Sequence, residues 1–482
     1  MADSDDDVPA LEYAWILESL SDCPLSIGYL DAIRGFNFNR SVRHINDLPT
    51  ELMANILKLA PVHFPSAPYS YEGSRHVLRM VSPYWNGIIE AEPAFWSQIY
   101  VGNRTVVGKL ALWIRRARSA PISFAFHLEE PLHGPSVMLD RPSYRTKWLD
   151  LVATVFPAMA QCVRVSVRAH NPTTTRFILL CLNSLDASAV ERIDLHLCPY
   201  GLRIQRHVEP NDPIFGLPPL FLDNVPRLRC LTFNGFFTTW GASPNLSNVT
   251  TLRLDELDEE FAPTVDEIFA VLSAAPRLET LFFLDVGCVG FETYTLEPPV
   301  MVFLDILHFS GRDDACSCLL SLVSMPAITT LYLQLHEELC VRVFVAHCAV
   351  MCGRVTTLSV DFPLATVRTV LDVFEAFPRL EYLDARDMNA YFALALHSVV
   401  SHWASICPAL SKIVIDEYME PHLLHHIHSR CNAGLFGKRP LQIISLAELD
   451  DNDAPRITCT STFQDGVVVY DNSAPVLPVF IT

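Results

Sequence analysis

Two groups of side chains have the types and spacing to hold a metal. His422, His425, His426 and His428 lie in Pro-His-Leu-Leu-His-His-Ile-His, with His422 and His426 one helical turn apart, as zinc ligands on a helix are. No acidic residue stands between them where a zinc protease keeps its general base, so the cluster reads as surface histidine. His347, Cys348 and Cys352 share a strongly apolar stretch, where thiols pack as small hydrophobes. Neither group predicts a metal, and no cofactor is expected. The chain has no Gly-x-Ser-x-Gly elbow, no phosphate-binding loop and no dinucleotide fingerprint, so it does not read as an enzyme. The acidic run from Asp255 to Glu260 reads as a solvated loop.

Composition narrows the partners. Lys and Arg number 35 against 54 Asp and Glu, so the formal charge is 35 − 54 = −19. Such a surface repels phosphate backbones and anionic lipid, and neither nucleic acid nor membrane is an expected partner. Hydrophobic residues make up 50% of the 482 positions, enough to bury a large core and to exclude wholesale disorder. The opening Met-Ala-Asp-Ser-Asp-Asp-Asp lacks the basic start and apolar run of a secretory signal, which points to the cytoplasm or nucleus. In a reducing compartment the 14 cysteines are expected to stay thiols. Two uncharged stretches, Cys316–Leu335 and Met388–Ser411, are broken by Pro326, Gln334, His397, His402 and Pro408, and read as buried helix-turn-strand.

The elements that would position any site are set by a recurring row, L-x-x-L-x-L, in which the capitals are apolar. Rows begin at Cys162, Val190, Leu228, Val249, Leu278, Leu304, Ile328, Val355, Leu380 and Leu410. They are 21 to 30 residues apart except for one step of 38, which is the length of a leucine-rich repeat. Prolines 226, 276, 326, 378 and 408 each precede a row by two residues and are expected to end a helix and launch a strand. Helices are expected at Val265–Ala274, Cys316–Val323, Leu339–Met351, Val367–Phe377 and Tyr391–Ile406. An ordinary α/β sheet with short crossovers is the alternative, but such sheets seldom repeat a proline at near-constant period. The Asn or Cys that leucine-rich repeats usually place three residues after the row is missing: Phe236 and Leu257 stand there. At the far end, Ile457–Phe463 and Val467–Tyr470 flank Asp465-Gly466 and predict a hairpin.

Residues 45 to 59 put Leu48, Leu52, Ile56 and Leu59 on one helical stripe behind Pro49, with Asp47 as a cap. A second stripe follows at Leu78, Val81, Trp85, Ile88 and Ile89, then Phe95-Trp96, while Pro61–His76 reads as an inserted loop. Leu48, Pro49, Glu51, Leu52, Ile56, Leu57, Val81, Trp85, Phe95 and Trp96 match the pattern of an F-box, and the region resembles one. The stretch from Trp113 to Phe126 resembles the segment that joins F-box to repeats in fungal F-box proteins. That resemblance implies a substrate-recognition subunit of a Skp-cullin-F-box ubiquitin ligase. Leu48, Pro49, Leu52, Ile56, Leu57, Leu78, Val81, Trp85 and Ile88 would bind a Skp-type adaptor and, through it, a cullin, while the repeats would hold an unidentified target protein. A leucine-rich-repeat interaction scaffold with no ligase link is the alternative.

Alternation along each row sends its third, fifth and seventh positions away from the core. The target-binding residues expected there are Arg164, Arg168, Arg192, Arg253, Tyr332, Gln334, Asp361, Asp384 and Arg386, basic early and more acidic late. The expected fold class is α/β: a small all-α F-box region followed by an irregular leucine-rich-repeat solenoid, a horseshoe. Its expected divisions are 1–43, an acidic tail with a short helix at Leu11–Leu20; 44–100, the F-box-like helical domain; 101–147, a linker and first strand, with a loop over 131–147; 148–440, the repeats; and 441–482, a C-terminal extension with a hairpin to cap the array.

Overall fold

The structure is a computed structural model that describes residues 45–59, 70–102, 105–128, 142–169, 188–197, 225–235, 246–257, 263–287, 295–311, 322–335, 342, 344, 353–361, 366–385, 407, 409–416, 441–447, 456–464 and 467–470. The helices expected at Leu11–Leu20, Cys316–Val323, Leu339–Met351 and Tyr391–Ile406 lie wholly or mostly outside the described residues, as do the histidines from His422 to His428, Cys348, Cys352 and Arg386. The described chain forms two compact units. One contains the residues up to Gln98 with Leu112–Ala120, the other Ile99–Ala111 with the chain from Pro121 onward.

In the N-terminal unit, helices α1 (Thr50–Leu59), α2 (Ser70–Val81) and α3 (Pro83–Ala91) lead into a 3-10 turn, Pro93–Trp96. Glu51 in the first turn of α1 and Lys58 in its last each sit at the dipole end that favours their charge. Met53, Ala54 and Leu57 bury one side of α1. Helix α2 begins at Ser70, so helix replaces the second part of the loop expected over Pro61–His76. Ser82 caps α3 by accepting the Trp85 backbone N–H at 3.1 Å, with Pro83 in the first turn, where its missing N–H costs nothing. The core closes on buried Trp96, whose indole N–H donates to the Ile89 carbonyl at 2.8 Å. The guanidinium carbons of Arg75 and Arg116 lie 4.5 and 4.3 Å from its ring centre.

The second unit is organised by a sheet. Its strands are β1 (Gln98–Gly102), β2 (Ile122–Leu128), β3 (Cys162–Ala169), β4 (Arg192–Leu197), β5 (Cys230–Asn234), β6 (Thr251–Asp255), β7 (Thr280–Leu284) and β8 (Ile306–Gly311). They continue as β9 (Thr330–Leu335), β10 (Thr357–Asp361), β11 (Tyr382–Ala385), β12 (Lys412–Asp416), β13 (Leu441–Ala447), β14 (Arg456–Gln464) and β15 (Val467–Tyr470). Strand order in the sheet is the order in the chain. Pairing is parallel from β2 to β13 and antiparallel from β13 to β15, with Gln464 opposite Val467. Helices α4 (Val107–Ala117), α5 (Pro142–Val155), α6 (Val265–Ala274) and α7 (Val367–Ala376) lie in the connections. Pro142 starts α5, so helix replaces the end of the loop expected over 131–147.

The strands begin in a uniform way. The amide of Leu228 donates to the Val225 carbonyl, Leu278 to Ala275, Ile328 to Met325 and Leu380 to Phe377. Each proline two residues before these rows is therefore the second residue of a four-residue turn, where its fixed φ fits, and before Pro276 and Pro378 a helix ends two residues earlier, at Ala274 and Ala376. Just after the turn, one carbonyl accepts two amides of the next strand: Thr250 O takes Glu279 N and Thr280 N, and Thr329 O takes Thr356 N and Thr357 N. At the other end of the strands, Gly235, Glu256 and Asp285 adopt φ of 77°, 51° and 51°. Their amides donate to Asp255 O, Leu284 O and Ser310 O. Backbone groups thus complete the ladder where a side-chain Asn was missing.

This architecture corrects the expected pairing of an all-α region with a leucine-rich-repeat horseshoe. The arrangement is α/β, but the sheet starts at Gln98 inside the span expected to be helical. It passes through the expected linker as β2 and continues beyond residue 440 as three further strands. Rows of apolar residues decide which side chains face inward. They do not limit the sheet, because any extended segment can pair with the open edge beside it.

Candidate binding face on the sheet

One face of the sheet is apolar. Leu231, Leu252, Leu281, Leu307, Leu331, Leu358, Leu383 and Ile413 are successive register partners, and all are buried. Shifting by one residue gives the opposite face, because side chains alternate. There, Ser166, Asp194, Thr232, Arg253, Phe282 and His308 are register partners in turn, followed by Tyr332, Ser359 and Asp384. Strands about 4.8 Å apart hold side chains of one row at stacking distance.

At the centre of this row four side chains form a continuous stack. The Arg253 guanidinium carbon lies 5.3 Å from the centre of the Phe282 ring. Phe282 and His308 follow with centroids 4.2 Å apart, and His308 and Tyr332 with centroids 3.9 Å apart and planes 4° from parallel. Burial, followed by the positive charge of Arg253, pushes the His308 imidazole down to about 4. At neutral pH the ring is therefore uncharged, and it is too weak a base for proton transfer there. Beside it, a cavity of about 230 Å³ is lined by His308, Tyr332, Gln334, Ser359, Asp361 and Asp384. Gln334 donates to Asp361 at 2.9 Å.

Arginines dominate the early strands. Arg164 on β3 and Arg192 on β4 both reach Asp194, at 2.8 and 3.0 Å, and Asp194 is only 2% exposed while both arginines are about half exposed. Arg253 pairs with Asp255 at 2.7 Å. Arg168 is exposed and pairs with no carboxylate among the described residues. β3 and β4 thus carry three guanidiniums and one carboxylate. His196 adds no charge at neutral pH, since burial lowers its pKa despite the nearby Asp194.

Of the expected target-binding residues, Arg164, Arg168, Arg192, Arg253, Tyr332, Gln334 and Asp361 stand on this face, exposed or half-buried. Asp384 is on the same row but buried, so it shapes the cavity floor and offers little surface to a partner. Sequence reasoning missed Phe282 and His308, because Leu278 and Leu304 open rows whose fifth positions were not read as part of the exposed series. The same alternation would have found them.

The expected adaptor-binding residues divide. Leu57, Leu78 and Ile88 are buried in the core of the N-terminal unit and cannot meet a partner. Leu48, Leu52, Ile56 and Trp85 are half-buried, and Pro49 and Val81 are exposed. Trp85 donates its indole N–H to Asn46 at 2.8 Å, and the Tyr84 hydroxyl donates to the Leu48 carbonyl at 3.1 Å, which pins the 45–48 segment against α3. Val77, Met80 and Val81, 48%, 74% and 44% exposed, form an apolar stripe on α2 at spacings of three and four residues. Val77 and Met80 were missed, though their helical spacing was readable.

Among the described residues no group of three or more His, Cys, Asp or Glu could hold a metal, and no helix is long and apolar enough to cross a membrane. Comparison with known protein families and with curated proteins finds no family model and no protein that matches this chain.

Proposed function

We propose that this chain is a substrate-recognition subunit of a Skp-cullin-F-box type ubiquitin ligase. Its N-terminal unit binds a Skp-type adaptor, and the polar face of its sheet receives the target protein. The observation that carries this reading is the exposed apolar stripe Val77, Met80 and Val81, in the segment whose sequence resembles an F-box. Large apolar side chains left in water on a helix mark a surface that binds another protein. The chain itself performs no covalent step. It acts by holding two partners at once, in the cytoplasm or nucleus.

The test is co-expression with a Skp-type adaptor followed by size-exclusion chromatography. A one-to-one complex is expected, and Met80→Asp with Val81→Asp should abolish it while leaving the melting temperature near that of the parent. Absence of a complex with the parent chain, or a complex that survives both substitutions, overturns the reading.

A further inference from the structure

The polar sheet face carries two features at a fixed separation: a surplus of guanidinium on β3 and β4, and the aromatic stack on β7 to β9. Both are presented by one rigid, hydrogen-bonded ladder, so their spacing cannot drift. Resting on the reading that this face receives the target, we propose that it recognises an extended protein segment laid across the strands, with acidic residues at one end and an aromatic or large aliphatic residue farther along.

Charge complementarity fixes the acidic end. Within β3 and β4, Arg164, Arg168 and Arg192 stand against a single carboxylate, Asp194, so the early strands attract carboxylates. The apolar end is fixed by the stack. Phe282, His308 and Tyr332 cover one another's faces at 4.2 and 3.9 Å, so solvent meets their edges and the cavity beside Tyr332, a wall for one apolar side chain. The net charge of −19 argues against single-stranded nucleic acid, because it repels a phosphate backbone. Four to five strand spacings of about 4.8 Å separate β3 and β4 from His308 on β8, roughly 19 to 24 Å. An extended chain covers that distance in about six or seven residues. The segment is therefore directional: acids first and anchor second along the strand order, with one chain polarity preferred.

The experiment selects random 16-residue segments displayed on phage against the full chain. Recovered segments should carry two or more Asp or Glu six or seven residues from a Trp, Tyr, Phe or Leu, in one sequence order. A labelled synthetic segment of that pattern should bind at least about tenfold more tightly than the same composition in reversed order. Arg168→Glu breaks no ion pair among the described residues, and it should weaken binding about tenfold, as should Tyr332→Ala, with unchanged melting. Recovery of no segment, loss of the acid-to-aromatic spacing, indifference to Arg168→Glu, or tighter binding of a labelled oligothymidine would each overturn the inference. Adaptor binding by the same variants keeps the two proposals separable. An intact spacing rule without adaptor binding sinks only the ligase reading, and adaptor binding without the rule sinks only this one.

Discussion

Adjacent residues of one strand have opposite fates, and Leu331 and Tyr332 show it most directly. Leu331 is fully buried between Leu307 and Leu358, whereas Tyr332 lies half-exposed at the end of the stack. Leu331→Ala should cost about 2 to 5 kcal/mol through lost burial and the cavity it leaves. Tyr332→Ala should cost about 1 kcal/mol, most of it lost ring contact. Urea titrations of both variants check this, and equal losses would mean that the faces are misassigned. His308 adds a pH dependence. Its pKa lies near the ordinary 6.5 when the chain is unfolded and is pushed down to about 4 in the folded ring stack. Between those values the unfolded chain binds a proton that the folded site refuses, so stability is full above pH 6.5 and falls as pH drops toward 4. His308→Phe keeps the stack and removes the titration. The loss of stability between pH 7 and pH 5 should shrink in that variant, and an unchanged loss would place the effect elsewhere.

Among the elements, α6 carries a complete capping box. The Thr264 hydroxyl accepts the Glu267 backbone N–H at 3.2 Å, and the Glu267 carboxylate accepts the Thr264 backbone N–H at 2.8 Å. Thr264→Ala should destabilise by about 1 kcal/mol, read as a lower thermal midpoint, while Thr264→Ser should restore most of it. The helix that this box starts was legible in the sequence, since Val265–Ala274 and Val367–Phe377 both show as apolar stretches between rows, and α7 ends at Ala376. The strands were legible too, because a period of two with buried leucines is a strong local signal. Register was readable for the same reason: Leu231, Leu252, Leu281, Leu331, Leu358 and Leu383 are all buried. What lies outside such signals was not legible. β1, with the sequence Gln-Ile-Tyr-Val-Gly, is too short to separate from helix by pattern, and Pro142 marks a helix start as readily as a loop. Burial of Asp194 and Asp384 on the polar face depends on which neighbours fold over them, which single-strand alternation does not encode. The aromatic stack likewise exists only across strands, between residues more than twenty positions apart in the chain.

At the scale of the whole molecule, a sheet whose strand order follows the chain has two edges and grows at one of them. Every internal strand hands its unpaired backbone groups to the next, and the parallel run from β2 to β13 would leave β13 with one open side. β14 covers it with a seven-pair antiparallel register from Leu441↔Phe463 to Ala447↔Arg456, broken by a bulge between Ser445 and Leu446, and β15 follows in turn. The bulge bends the pairing at the point where the sheet changes from parallel to antiparallel. The segment exposed without this hairpin would be Leu-Gln-Ile-Ile-Ser-Leu-Ala, a β-prone run with no charge and no proline. Such an edge is a template for pairing with a second chain. Truncation after Ala447 should therefore leave the polar face and the N-terminal unit folded while shifting the protein toward dimers and larger species in light scattering, increasingly so with concentration. Inserting Lys in place of Ile444 in the truncated chain should reverse that shift, because a charge on the open strand disfavours a second copy. A truncated chain that stays monomeric at all concentrations would mean that the edge is closed by other residues and that the hairpin is not what ends the sheet.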